Sequence, residues 1–303
     1  MRRAKQTKGA TVSYVESEIA SQPACWRKAA ETAASKPAGL PAAGERVAVI
    51  GCGTSLFMAQ AYAALRERAG QGETDAFAAS EFPAGRRYDR VVALTRSGTT
   101  TEVVAALATV DSKTATVAIT ADPNTPIVQA AQDIVLLDFA DEQSVVQTRF
   151  ATSALIMLRA HLGEDIAPLI DQATDAVSAS LPAGLAERTQ FTFLGSGWSV
   201  GIANEAALKL REASRSWAES YPAMEFRHGP ISIADERSVI WIFGAPPAGL
   251  TDDLRPTDAL VVQSALDPAA ELIRTQRLAV ALATARGLDP DIPRNLSRSV
   301  ILS

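Results

Sequence analysis

Histidine and cysteine are nearly absent: the 303 residues hold two of each. Two widely separated histidines, and two cysteines (Cys25 and Cys52) without a CxxC spacing, make neither a metal-ligand set nor a disulfide framework. No metal and no other cofactor is implied. No stretch approaches the ~18 consecutive apolar residues of a membrane span. The basic start, "MRRAKQTKGA", has no apolar segment behind it, so a secretory signal is not expected. Strong charge of one sign is missing too. The net charge is −5 with acids and bases interspersed, which argues against an extended nucleic-acid surface while leaving room for a local anion pocket. These absences lead to the expectation of a soluble, cytoplasmic protein without membrane or nucleic-acid partners.

What is present is a repeat. "RVAVIGCGTSLFMAQAYAAL" (46–65) and "FTFLGSGWSVGIANEAALKL" (191–210) both read as strand, glycine turn and helix. Aligned without a gap, Gly51, Gly53, Ser55 and Ala59 fall on Gly195, Gly197, Ser199 and Ala203, an offset of 144 that also carries Glu81-Phe82 onto Glu225-Phe226. Short β-branched runs at 46–51, 90–95, 114–120 and 133–138 read as buried strands, and so do 191–195, 238–244 and 258–263. Helical stretches fall between them at 56–68 and 101–107, with longer ones at 142–163 and 164–187. The pattern predicts an α/β protein of two doubly wound, flavodoxin-like parallel sheets flanked by helices. An N-terminal helical segment (1–45), a first unit (46–165), a connecting helix (166–187) and a second unit with a C-terminal tail (188–303) divide the chain. In such sheets ligands sit beyond the carboxyl ends of the strands, which directs attention to the glycine turns.

"ALTRSGTTTEVV" (93–104) places Thr95, Ser97, Thr99, Thr100 and Thr101 hydroxyls, the Arg96 guanidinium and a flexible Gly98 between a strand and a helix. A helix N-terminus offers unpaired N–H groups and partial positive charge, so this segment suits a phosphate. Thr99 and Glu102 also fit a capping box, which needs only one of those hydroxyls. "GCGTS" lacks the third glycine of a dinucleotide loop, and its Ser55 reads as a further donor to the same anion. No Walker lysine pattern occurs, so a nucleoside triphosphatase is not expected. Farther along, "NEAALKLREAS" (204–214) sets Glu205, Lys209 and Glu212 at i, i+4 and i+7, on one helical face. On a solvated face such residues form only a weak pair. Following directly on a glycine turn, they can instead line a pocket and shuttle a proton.

In chain order, "GCGTS", "SGTTTE", "NEAALKLREAS", "AESYPAMEFRHGPISI" and the terminal "PRNLSRSV" resemble the isomerase half of glucosamine-6-phosphate synthase, built from two sugar isomerase (SIS) domains. The resemblance covers roughly residues 14–303 and is most specific over 204–231. It implies that the two units are tandem SIS domains and that Ser55, Ser97 and Thr100 bind phosphate. Thr95 and Arg96 stand where the family has serine and glutamine. It further implies Glu212 as the carboxylate moving a proton between C1 and C2, Glu205 and Lys209 as pocket residues, and Val145 as a backbone contact. Gln147 replaces a family serine. His228 matches the ring-opening histidine, which in the family comes from a neighbouring subunit; a homodimer is therefore expected.

Two departures matter. The glutaminase part of the synthase has no counterpart here, so synthesis from glutamine is not expected. The tail lysine that can form a Schiff base is replaced by Arg298, a very poor nucleophile that can still clamp an anion or polarise a carbonyl. The segment before the tail is also shorter than in the synthase, which implies a second sheet trimmed at one edge. The reading is a phosphosugar isomerase acting on a hexose or aminohexose 6-phosphate through an enediol or enolamine. Amino-sugar-phosphate deamination and fructosamine-6-phosphate deglycation are the nearest alternatives, and a non-catalytic sugar-phosphate sensor is the alternative of a different class.

Overall fold

Strands buried on both faces account for the apolar runs of the sequence. The computed structural model describes residues 13–302. Two helices come first, α1 (Tyr14–Ala20) and α2 (Gln22–Ala34), where the sequence suggested one. The break falls at Ser21, because Pro23 lacks the N–H that a continuous helix would need. The first sheet and its crossovers follow: β1 (Val47–Gly51), α3 (Thr54–Arg68), β2 (Thr74–Ala78), β3 (Arg90–Leu94), α4 (Thr101–Ala108), β4 (Ala115–Thr120), α5 (Ile127–Ala130) and β5 (Asp133–Leu136). Helices α6 (Arg149–His161) and α7 (Ala167–Ser178) then lead to β6 (Gln190–Gly195), α8 (Ser199–Lys209), β7 (Trp217–Pro222), β8 (Ser238–Phe243), α9 (Leu250–Leu254), β9 (Leu260–Gln263) and α10 (Pro268–Ala285).

Both sheets are parallel and share one winding. The first has five strands in the order β2-β1-β3-β4-β5 and the second four in the order β7-β6-β8-β9. The strand order reverses beside β1 and β6, so each sheet has a crevice at the carboxyl ends of β1/β3 or β6/β8. Strands β2 and β7 lie outside the sequence expectation. Each is an edge strand with little full burial, "TDAFA" and "WAESYP", and so lacks the apolar run that marks the central strands. The helix expected over 142–163 begins only at Arg149, because the Glu142 carboxylate turns back to accept from the N–H groups of Thr148 and Arg149. Residues 142–148 are loop, held from outside by Glu18 of α1, which accepts from Ser144 N–H and its hydroxyl.

The repeat governs how the halves meet. Helices α3 and α8 pack together, and Asn204 donates to Gln60 at 2.9 Å, a pair of residues one repeat apart. Gly201 likewise faces Phe57, its own repeat mate. Equivalent residues in contact mark a local two-fold relation, and one continuous apolar core joins Val47 and Val49 of the first sheet with Phe191 and Phe193 of the second. A Cβ at Gly201 would lie 2.4 Å from the Phe57 carbonyl oxygen. Gly201→Ala should therefore force the two helices apart and cost about 1–3 kcal/mol, more than the ~0.5–1 kcal/mol that alanine gains in a helix. Urea unfolding checks this, and an unchanged midpoint would contradict the close-packed seam.

Candidate functional site

The anion cradle forms where β3 ends, over the crevice that the winding dictates. Gly98 turns the chain with φ +63°, and a Cβ there would lie 2.0 Å from Thr125 Oγ1. Helix α4 opens with Thr100 as its N-cap, and no side chain caps it, so the Thr99–Glu102 capping box does not form. The Ser97 and Thr100 hydroxyls lie 3.5 Å apart and, with Ser55 from the first glycine turn, line one small cavity. Thr95 lines it as well, its hydroxyl oxygen accepting from Gly98 N–H at 3.3 Å. In the second half the hydroxyl of Ser199, the repeat mate of Ser55, is instead engaged by the Ser196 and Phe243 carbonyls.

Two arginines depart from the sequence expectation of open, positive forks. The Arg96 side chain is fully enclosed and its Nη atoms donate to the Ser144, Val145 and Arg298 carbonyls, with the Glu142 carboxylate 3.4 Å away. Arg298 borders the cavity, but its guanidinium is paired with Asp141 and donates to the Glu142 carbonyl. Non-local carboxylates draw both forks away from the cradle. Val145 is likewise engaged through its backbone, its N–H donating to the Asp291 carbonyl at 2.9 Å and its carbonyl accepting from Arg96. Gln147 reaches the cavity with a buried Oε1 that has no hydrogen-bond partner among the described residues.

The acid–base face is one cluster at the end of α8. Lys209 Nζ donates to Glu212 Oε2 at 2.5 Å and to Thr54 Oγ1 at 2.9 Å, and lies 3.4 Å from Glu205 Oε1. From Leu210 to Ser214 the helix widens to a π-helical turn, which closes on Arg215 in the left-handed region at φ 54°. Such widened turns re-aim side chains and are frequent at functional sites; here it brings Glu212 to Lys209 at i, i+3. Thr54 escaped the sequence reading. Its neighbour Ser55 stands in the cradle, so the Lys209–Thr54 bond links the carboxylate cluster to the anion site.

One ammonium faces two carboxylates, and their exposures decide how charge is shared. Glu212 keeps 19% of its side chain exposed and Glu205 keeps 1%. Burial pushes the Glu205 carboxyl up to about 8, against the pull of Lys209 and with a further push from Glu212. The carboxylates in turn hold the Lys209 ammonium above its ordinary value although burial opposes it. Near neutrality the Lys209 ammonium thus stands beside a protonated Glu205 and donates to Glu212. A carboxyl raised in the folded state, from about 4.3 unfolded, favours folding at low pH and loses that contribution as pH rises through about 8. Glu205→Gln, permanently neutral, should flatten the fall in stability between about pH 5 and 8, by a few kcal/mol at most. Parallel unfolding curves for both proteins across that range would contradict the assignment.

Glu212 also borders a cleft of about 360 Å³ with Arg211, Arg215 and tail residues Arg294, Asn295 and Leu296. His228 lies apart, on a short 3₁₀ turn (Glu225–His228), exposed and without a hydrogen bond among the described residues. Within one chain it joins neither the cradle nor the Lys209 cluster. Among the described residues, no helix is long and apolar enough to cross a membrane.

Residues 42–162 match the family model described as SIS domain. Among curated proteins, the chain is 27% identical over 304 aligned residues to glutamine–fructose-6-phosphate aminotransferase [isomerizing] of Methanothermobacter thermautotrophicus, covering 84% of this chain and 51% of that protein. The chain thus spans about half the length of that relative. Among solved structures, glucosamine-6-phosphate deaminase from Thermotoga maritima superposes with a TM-score of 0.79 at 24% identity, over 96% of this chain and 100% of that one. The C-terminal domain of glucosamine-fructose-6-phosphate aminotransferase from Francisella tularensis gives 0.78 at 18% identity, over 93% and 99%. At these identities the two structures speak for the fold.

Proposed function

We propose that the chain, whose residues 42–162 match the SIS-domain model, is a phosphosugar isomerase with two tandem SIS domains, acting on a hexose or aminohexose 6-phosphate. The observation that carries this reading is the Lys209–Thr54 hydrogen bond, which joins a proton-shuttling carboxylate to the turn bearing Ser55. The phosphate docks on the Ser55, Ser97 and Thr100 hydroxyls at the N-terminus of α4, where anionic charge is stabilised. The open-chain sugar then extends toward Glu212. The Glu212 carboxylate takes the proton from C2, leaving an enediol or enolamine, and returns it to C1; the proton on the C2 oxygen or nitrogen passes to O1 in the same sense. The Lys209 ammonium donates to Glu212 and fixes its carboxylate in place. Gln147 Oε1 is an acceptor suited to a hydroxyl or amine hydrogen of the substrate.

The exposed His228 fits a residue that completes the site of a second copy, so the active form is proposed as a homodimer in which His228 assists ring opening across the interface. Deamination would follow from the same proton transfer when C2 bears nitrogen, with imine hydrolysis releasing ammonia. The relatives' printed names support both outcomes, an isomerising aminotransferase and a deaminase. A non-catalytic sensor would use the cradle but has no need of a Lys209–Glu212 pair. Incubating the protein with hexose, hexosamine and fructosamine 6-phosphates, and following the aldose/ketose ratio, ammonia and released amino acid together, tests the proposal. Turnover of one of them is expected; binding without turnover would favour the sensor.

A further inference from the structure

The C-terminal tail lies across the cradle it would have to admit a phosphate into. Thr101 N–H, the first donor of α4, is taken by the Val300 carbonyl at 3.2 Å, and Leu302 N–H donates to the Thr101 hydroxyl. The Thr99 and Ser299 hydroxyls pair at 2.8 Å. Beneath the tail the cavity shrinks to about 20 Å³, enough for a water and too small for a phosphate. One side chain touches all three parts of this closure. Arg96 lies in the cradle loop, grips the 144–145 carbonyls of the loop that carries Gln147, and reaches the tail through the Arg298 carbonyl at 3.0 Å. Its remaining donor, Nε, is buried and unpartnered among the described residues, in a side chain that lines the cavity.

We propose that Arg96 is a positioning residue: its fork fastens the tail over the anion cradle, so that an anion enters only when that fastening opens. Tail closure and anion binding thereby compete through one guanidinium. The fork is anchored from behind by Glu142, whose other oxygen caps α6, so the fastening point is rigid. Lysine at this position would keep the charge but could not span carbonyls on two loops at once, since an ammonium lacks the planar fork. The anion half of this inference rests on the proposed phosphate site; the fastening half does not.

Hydrogen exchange of the tail peptide (296–302) in the absence of any ligand tests the fastening. Arg96→Lys should exchange at least tenfold faster there than the wild type, while peptides from β1 and β6 keep their protection. Glu142→Gln, which leaves Arg96 in place and neutralises its partner, should loosen the tail in the same direction and serves if Arg96→Lys does not fold. The coupling is read with inorganic phosphate as the probe, comparing Kd for the full chain and for a chain ended after Asn295. Arg96→Lys should bind phosphate more tightly than the wild type in the full chain, and that gain should vanish in the shortened one. An unchanged tail exchange in both variants, or an equal change of affinity in both chain lengths, would overturn the positioning role. If neither chain length binds phosphate, the cradle assignment and the coupling fall together, while the exchange result still decides the fastening.

Discussion

Glutamine in place of Glu212 should slow proton transfer by about 10²–10⁴-fold, the usual contribution of a placed acid–base group, with little change in substrate affinity. The amide keeps the size and one hydrogen-bonding oxygen of the carboxylate but cannot accept a proton. Because Glu212 sits on the far side of Thr54 from the cradle hydroxyls, the phosphate contacts are unaffected. The expected pattern is therefore a loss in kcat with KM nearly unchanged, and loss of solvent deuterium from the product at the same step. Undiminished deuterium incorporation would remove Glu212 from the mechanism. By contrast, Glu205→Gln should leave most activity at neutral pH, since burial already holds Glu205 protonated. Two carboxylates on one helix face thus have opposite expected sensitivities, and exposure is what separates them.

The largest effect on stability is expected at Lys209. Its ammonium is enclosed and is the cation between Glu205 and Glu212. Lys209→Met fills the space but leaves Glu212 beside Glu205 without a counter-charge, and breaking a buried pair in this way costs about 3–5 kcal/mol. The variant should therefore be strongly destabilised at neutral pH. Urea unfolding at pH 7 checks this, and an unchanged midpoint would contradict the buried pair.

How much of this was legible beforehand depends on how local each cause is. The central strands announced themselves because a parallel strand buried on both faces must be apolar throughout, and the repeat survived in Gly51/Gly195 and in Gly53/Gly197, the latter pair sharing φ near 55°. Edge strands β2 and β7 were silent because their exposed faces carry ordinary polar residues. The cradle hydroxyls and the Glu205–Lys209–Glu212 spacing were visible, being fixed by a single turn and a single helix. The partners of the arginines were not legible for a physical reason. Arg96 and Arg298 answer to Glu142 and Asp141, at least 45 residues away in sequence, and no local pattern shows which carboxylate a fork will find. The same holds for residues 142–148, whose helical pattern is overridden by Glu18 from α1. Thr54 was overlooked because it reads as the unremarkable middle of "GTS"; its meaning comes from Lys209, 155 residues on.

The most direct measurement follows deuterium from D₂O into glucose 6-phosphate, glucosamine 6-phosphate and their unphosphorylated parents, by proton NMR with the wild-type protein. Exchange at C2 of a phosphorylated sugar, with none in the parent sugars, is the predicted result. It would show that the cradle and the Lys209–Glu212 pair act on one substrate. Absence of exchange in every sugar phosphate that demonstrably binds would contradict the account at its centre.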